Sequence, residues 1–368
     1  MMRVALIAGN LAREGGIARY CRELLAALGR RDDVALIVVA PPEADAVLER
    51  LAPPNLAAFV PLGGRGQLGR ALWEQHRLDR LLDAYDADIV HSTNHLLPRT
   101  ARPTVLTVHD VFILTWPQQY ARLKRALLPT QFRAAVRAAT AVISVSHTTG
   151  DQLAALEPTA GAKTVVIEHA LPTGLTTVTP EPVAALGDTR FALTVGDLSP
   201  RKNVDLLLDV WPAVHSATGL VLVIVGGAGW RSTATQRRVE GVAVTGTVHW
   251  LRDLPDAELR WCYEHAVTAL IPTFDEGYGI PMIESLAFGC PVLASTAPAL
   301  VEVAHGYAQH LSPDDATAWR DAIVDTAEAP RRPRVCLGLP SWDENAARTV
   351  ATYEHACALS RGLGREHA

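Results

Sequence analysis

The chain lacks what would mark an exported, membrane-spanning or nucleic-acid-binding protein. Its five cysteines (Cys21, Cys262, Cys290, Cys336 and Cys357) are odd in number and widely scattered. No C-x-x-C pair or Cys/His cluster occurs, which argues against a disulfide framework or a zinc site and for reduced thiols in a cytosolic protein. No apolar run is long: stretches such as GLVLVIVGGAG fall well short of the length that crosses a bilayer. The opening MMRVALIAGN has too short an apolar stretch for a secretory signal and runs straight into a glycine-rich loop, so it reads as a first strand. The expectation is a soluble, cytoplasmic protein, at most peripheral to the inner face of a membrane. Positive charge is not in excess either. A net charge of −5 gives the molecule no global attraction to nucleic acid.

What is present is an ordinary globular composition, 49% apolar and 20% charged, which excludes disordered, collagen-like and coiled-coil readings. A length of 368 residues makes two domains the natural expectation. Short β-branched runs alternate with longer amphipathic stretches. Strands are expected at 3–9, 34–40, 57–62, 88–92, 103–109, 141–146 and 163–169. Several are apolar throughout, as in a parallel sheet covered by helices on both faces. The Pro-, Thr- and Gly-rich segment from Pro172 to Asp188 breaks the rhythm and reads as a linker. A second alternation follows, with strands at 190–196, 220–226, 246–251, 267–272, 291–295 and 307–311 and helices at 203–217 and 314–327. After an irregular stretch from Pro330 to Pro340, Ser341 and Glu344 form a capping box that opens a final helix. The division is therefore 1–172, a linker at 173–189, and 190–341, followed by the helix 342–368. The fold class is α/β, two doubly wound Rossmann-like domains, and such folds bind ligands at the carboxyl ends of their strands.

Chemistry-bearing residues stand where that rule places them. Gly15 and Gly16 follow the first strand and precede a helix, so backbone can approach a ligand and the helix N-terminus favours an anion. Arg201 and Lys202 follow the strand 190–196, on a turn entered through Ser199-Pro200, with Asn203 as a helix cap. Two cations there suit a diphosphate, whose charge they offset as it leaves. The strand 267–272 ends in PTFDEGYGIPMIE. Gly277 and Gly279 open a loop to close approach, with Tyr278 and Ile280 beside them as donor-binding candidates, Pro281 suits the first turn of a helix, and Gly289 ends it. Glu276 and Glu284 present carboxylates that accept from vicinal hydroxyls, one from a sugar and the other from a ribose. His109 follows the strand 103–109. Three other signals carry less. Asp86-x-Asp88 opens a strand instead of closing one and reads as a polar strand start, not a metal-binding pair. VGGAGWRS fails the dinucleotide fingerprint, because Ser232 stands where its third glycine would be. The stretch 117–137 carries Arg122, Lys124, Arg125, Arg133 and Arg137 without an acid, a solvated helix face or a surface for an anionic membrane or acceptor.

Together these residues resemble the family-4 retaining glycosyltransferases of GT-B fold. VGDLSPRKNVDLLLDVW resembles the family's donor-phosphate turn, TFDEGYGIPMIESLAFGCPVLAS its E-x7-E motif, APALVEVA the stretch after it, and SWDENAART the start of its C-terminal helix, which implies that the helix 342–368 crosses back to the N-terminal domain. The resemblance implies transfer of a hexose from a nucleotide-diphosphate sugar to a hydroxyl of a glycan, lipid-linked or small-molecule acceptor, with retention and without a metal or other cofactor. It implies that Glu276 contacts the donor sugar and reacting centre and that Glu284 holds the ribose. Arg201 and Lys202 would hold the diphosphate with the Gly277–Gly279 backbone and Gly16, and His109 would lie beside the donor sugar. The turn LSPRKN is similar to that of mannosyl- and related hexosyltransferases, which puts GDP-mannose ahead of UDP- and dTDP-hexoses. Two positions depart from the pattern: Asp197 replaces an arginine, and His169-Ala170 replaces Asn-Gly. The rival readings are another GT-B enzyme, such as a nucleotide-sugar 2-epimerase, and a non-catalytic two-domain binder.

Overall fold

The computed structural model describes residues 1–63, 73, 77–328 and 337–366. Cys336 and most of the irregular stretch 330–340 lie outside them. The chain divides into two compact units, Met1–Ala170 with Pro340–Ala368, and Leu171–Leu339.

The first unit is built on β1 (Met2–Ile7), β2 (Val34–Ala40), β3 (Leu56–Pro61), β4 (Ile89–Ser92), β5 (Thr104–Val108), β6 (Ala141–Ser144) and β7 (Thr164–Val166). They form one parallel sheet in the order β3-β2-β1-β4-β5-β6-β7. β2 and β5 are buried along their whole length, which is why their sequences do not alternate. The order reverses between β1 and β4, so the carboxyl ends of those strands frame the crevice of this sheet. The strand expected to run to 169 ends at Val166, and beyond it the Glu168 carbonyl accepts from Asn345 Nδ2 at 2.8 Å. Asn345 lies on the long helix Trp342–Glu366. That helix opens on the reciprocal Ser341/Glu344 box: Glu344 N donates to Ser341 Oγ at 3.1 Å, and Ser341 N donates to Glu344 Oε2 at 2.6 Å. Its Trp342, Ala346, Val350 and Tyr353 join the same core as Leu24, Leu25 and Leu28 of the helix Gly16–Gly29.

The second unit holds β8 (Phe191–Val195), β9 (Val221–Val225), β10 (Val248–Leu251), β11 (Thr268–Ile271), β12 (Val292–Ser295) and β13 (Gln309–Leu311), again all parallel. Their order is β10-β9-β8-β11-β12-β13, with the reversal between β8 and β11. The segment 173–189 belongs to this unit. A short helix, Thr173–Thr177, starts it, and Arg260 on the helix Asp256–His265 donates to the carbonyls of Val178 (2.7 Å) and Thr176 (3.1 Å). Leu175, Val183 and Leu186 are buried. Irregular sequence is thus held by the Arg260 guanidinium, by apolar anchors and by a backbone bond from Glu181 N to the Ala257 carbonyl at 3.1 Å.

Among the described residues no helix is long and apolar enough to cross a membrane. The basic stretch includes the helix Arg122–Ala138. Phe132, Ala135 and Val136 face inward, while Arg122, Leu123, Lys124, Arg125 and Leu127 are all exposed. Arg137 has a structural partner, pairing with the buried Glu157 at 2.8 Å. Asp88 has one too: its carboxylate accepts from the backbone N of Arg3 at 2.8 Å, at the start of β1.

Candidate functional site

In the second unit the reversal of strand order brings two loops together. The chain leaving β8 forms a tight turn, Pro200–Lys202, and Asn203 then takes a left-handed conformation at φ 54° before the helix Val204–Thr218. Asn203 does not cap that helix with its side chain, as expected above. Its Nδ2 instead donates to the carbonyls of Pro272 (3.1 Å) and Pro313 (2.8 Å), fastening the turn to the end of β11. From the other side, Phe274 N and Thr273 Oγ1 each reach the Arg201 carbonyl at 2.9 Å. A Pro-containing turn locked at both ends loses little conformational freedom when a ligand arrives.

The turn delivers its two cations to one carboxylate. Lys202 Nζ donates to Glu276 Oε1, and Arg201 lies 3.3 Å from Glu276 Oε2 while also donating to the Asp275 carbonyl. All three side chains are largely buried. Burial alone would raise the Glu276 pKa, but the Lys202 and Arg201 charges outweigh it and hold the carboxyl below its ordinary range. Glu276 is therefore an anion at neutral pH, and the trio retains net positive charge. A small cavity beside it is lined by Thr194, Gly196, Asp197, Lys202, Pro272 and Thr273. Asp197 shapes the turn: its Oδ1 accepts from Ser199 N (3.1 Å) and Ser199 Oγ (2.5 Å). The glycine-rich stretch after β9 packs there as well, with Leu198 N donating to the Gly227 and Ala228 carbonyls.

After Glu276 the loop passes through buried Gly277 and Tyr278 to Gly279. Gly279 has φ 104°, and a Cβ there would meet Leu300 Cδ2 at 2.6 Å, so the position requires glycine. Ile280 begins the helix Ile280–Ala287, with Pro281 in its first turn. Glu284 lies on this helix and is buried, and its Oε2 accepts from Tyr263 at 2.6 Å. Arg201, Lys202, Glu276, the Gly277–Gly279 loop and Glu284 thus belong to one unit and to consecutive stretches of two loops and a helix.

Gly15, Gly16 and His109 belong to the first unit. Gly15 sits at φ 104° immediately before the helix that Gly16 begins, and both are exposed. His109 follows β5. Its Nε2 donates to the Thr93 carbonyl at 3.2 Å, which leaves Nδ1 as an acceptor in the neutral ring. Desolvation holds its pKa near 4, so the ring is neutral at pH 7. It stacks on His169 (5.9 Å, 11°) and meets the Tyr20 ring edge-on at 4.7 Å. Tyr20 also meets His169, and both touch Trp342 of the C-terminal helix. His169 therefore has a packing role. Sequence reasoning did not assign sites to Tyr20, Trp342 or Tyr263. Tyr20 was legible as part of the apolar face shared with Leu24 and Leu28, whereas nothing local to Tyr263 announces Glu284.

Two family models match, described as Glycosyltransferase Family 4 over residues 14–174 and Glycosyl transferases group 1 over residues 189–329. The chain belongs to the family-4 glycosyltransferases. It is 26% identical over 337 residues to the O-antigen chain mannosyltransferase RfbU of Salmonella typhimurium, covering 87% of this chain and 91% of the relative. It is 25% identical over 285 residues to O-antigen chain mannosyltransferase B of Escherichia coli, covering 73% and 75%. The Anabaena protein HepE, solved in complex with UDP-glucose, has the same fold: TM-score 0.68 at 16% identity, over 96% of this chain and all of that one. This glycosyltransferase is accordingly a GT-B protein whose two parallel sheets each place loops of functional residue types at their carboxyl ends.

Proposed function

We propose that this glycosyltransferase moves a mannosyl residue from GDP-mannose to a hydroxyl of a growing, lipid-linked glycan, with retention and without a metal. The observation that carries the reading is the buried Arg201–Lys202–Glu276 trio at the switch point of the second sheet. Net positive charge held on a pinned turn favours the charge that develops on a departing diphosphate. It does there what a divalent cation does in other sugar transferases, which is why no metal is invoked. The glycan acceptor and the mannosyl donor follow the two O-antigen mannosyltransferase relatives.

In this reading the bond from the sugar C1 to the β-phosphate oxygen breaks while a bond from C1 to the acceptor oxygen forms on the same face. The acceptor proton passes to the diphosphate. Arg201 and Lys202 take the diphosphate, with the Gly277–Gly279 backbone assisting through N–H groups. Glu276 accepts from donor-sugar hydroxyls through Oε1 and Oε2 as the cations turn to phosphate. Ile280 and Tyr278 line the loop, and Glu284 accepts from the ribose.

The test is incubation with GDP-mannose and a lipid-linked glycan, followed by nuclear magnetic resonance of the product anomeric centre. An α-mannoside is expected, formed equally with and without a chelator. A β-mannoside would remove retention, and activity that needs added manganese would remove metal independence.

A surface role for the helix Arg122–Ala138 belongs to the same proposal. Leu123 is 73% and Leu127 49% exposed, beside Arg122, Lys124 and Arg125, a pattern that complements an anionic bilayer.

A further inference from the structure

We infer that Tyr263 is a positioning residue for ribose recognition, acting through Glu284. The inference deepens the proposed function, since it rests on Glu284 as the ribose-binding carboxylate. A vicinal diol is held best when each oxygen of one carboxylate accepts from one hydroxyl, and that requires the carboxylate plane to face the diol. The last torsion of a glutamate is intrinsically broad, so the side chain does not set that plane by itself. Here an outside group sets it. The Tyr263 hydroxyl donates to Glu284 Oε2 at 2.6 Å, with Tyr263 fully buried and Glu284 2% exposed.

Tyr263 is itself held by the element that carries its acceptor. Its ring stacks on Phe288 at 6.1 Å and 18°, and Phe288 is the residue closing the helix Ile280–Ala287. Arg260, one turn earlier on the Tyr263 helix, lies over the other partner of that stack, 5.2 Å from the Phe288 ring centre. The helix Asp256–His265 is therefore joined to the helix Ile280–Ala287 and its closing residue by hydroxyl to carboxylate, ring to ring and guanidinium to ring. The carboxylate is fixed in rotation before any nucleotide arrives, and pre-organisation of that kind raises affinity without adding a contact.

The test titrates the full chain with GDP and 2′,3′-dideoxy-GDP, and with UDP and 2′,3′-dideoxy-UDP, in wild type, Tyr263→Phe, Glu284→Gln and the double variant. The wild type is expected to prefer the better-bound ribonucleotide over its dideoxy form by about tenfold or more. Tyr263→Phe loses most of that preference while binding the dideoxy form as the wild type does, a pattern that general loosening of the fold does not produce. Full preference in Tyr263→Phe overturns the role of Tyr263. No preference in the wild type removes Glu284 from the ribose and the inference with it. The double variant is expected to match Glu284→Gln alone, because one residue acts through the other. A further loss in the double variant overturns the inference. If Tyr263→Phe does not fold, Phe288→Leu, which removes the ring stacked on Tyr263, is expected to lower the same ribose preference, and an unchanged preference there overturns the inference.

Discussion

At the residue scale, Glu276 is held between two cations, and that geometry separates the effects of neighbouring substitutions. Glu276→Gln keeps the side-chain shape and leaves Arg201 and Lys202 less neutralised, so diphosphate binding is retained while contact with the reacting sugar is lost. The expected outcome is a fall in kcat of roughly a hundredfold or more with a much smaller change in donor KM and a preserved fold. Steady-state kinetics beside a circular dichroism melt check this, and unchanged donor kinetics would remove Glu276 from the site. The residues of the trio were legible in the sequence because each follows a strand end, where ligands of such sheets bind. Their mutual pairing was not legible, since Lys202 and Glu276 are far apart in the chain and meet only through the order β8-β11. The use of Asn203 was misread for the same reason: its two acceptors, Pro272 and Pro313, come from distant loops.

At the element scale, the C-terminal helix is fastened to the first sheet by polar groups that titrate. Tyr353 OH lies 2.6 Å from His91 Nδ1, and His91 Nε2 lies 2.7 Å from Thr107 Oγ1. Desolvation pushes the His91 pKa down to about 3, and it pushes His169, packed against Trp342, to about 3 as well. Both are buried neutral, while an unfolded histidine titrates near 6.5, so the unfolded chain binds more protons below that value. The stability these residues contribute is whole above pH 6.5 and falls as pH drops towards 3, by about 1.4 kcal/mol per pH unit for each. Melting temperature recorded from pH 8 to pH 4.5 is expected to be level at first and to fall below pH 6.5. A level profile through pH 5 would contradict the buried neutral state. The capping box of this helix was legible from Ser341 and Glu344 alone, because a cap is local. Its seat against Tyr20, His91 and His169 was not, because those contacts come from another helix, from β4 and from the segment after β7. The other element with a testable surface is the helix Arg122–Ala138. Cosedimentation with phosphatidylglycerol vesicles is expected, to weaken with salt and to be lost in L123E/L127E. Equal sedimentation of that variant would place membrane contact elsewhere or nowhere.

At the scale of the whole molecule, the alternation of apolar runs and amphipathic stretches was enough to read two parallel α/β sheets, since strands buried on both faces leave a strong signal. Strand order was supplied by the structure alone, because parallel pairing leaves no turn between partners. The irregular segment 173–189 shows a further limit: its attachment through Arg260 depends on a helix far along the chain. The proposed chemistry joins these levels in one claim, that Arg201 and Lys202 hold the donor diphosphate in place of a metal. Calorimetric titration of GDP-mannose into wild type and Lys202→Ala, both in EDTA, tests it most directly. Wild type is expected to bind, with Lys202→Ala weakened at least about tenfold and its melting temperature little changed, as loss of one charge-assisted contact predicts. Binding that vanishes from the wild type in EDTA, or that is equally tight in Lys202→Ala, would contradict it.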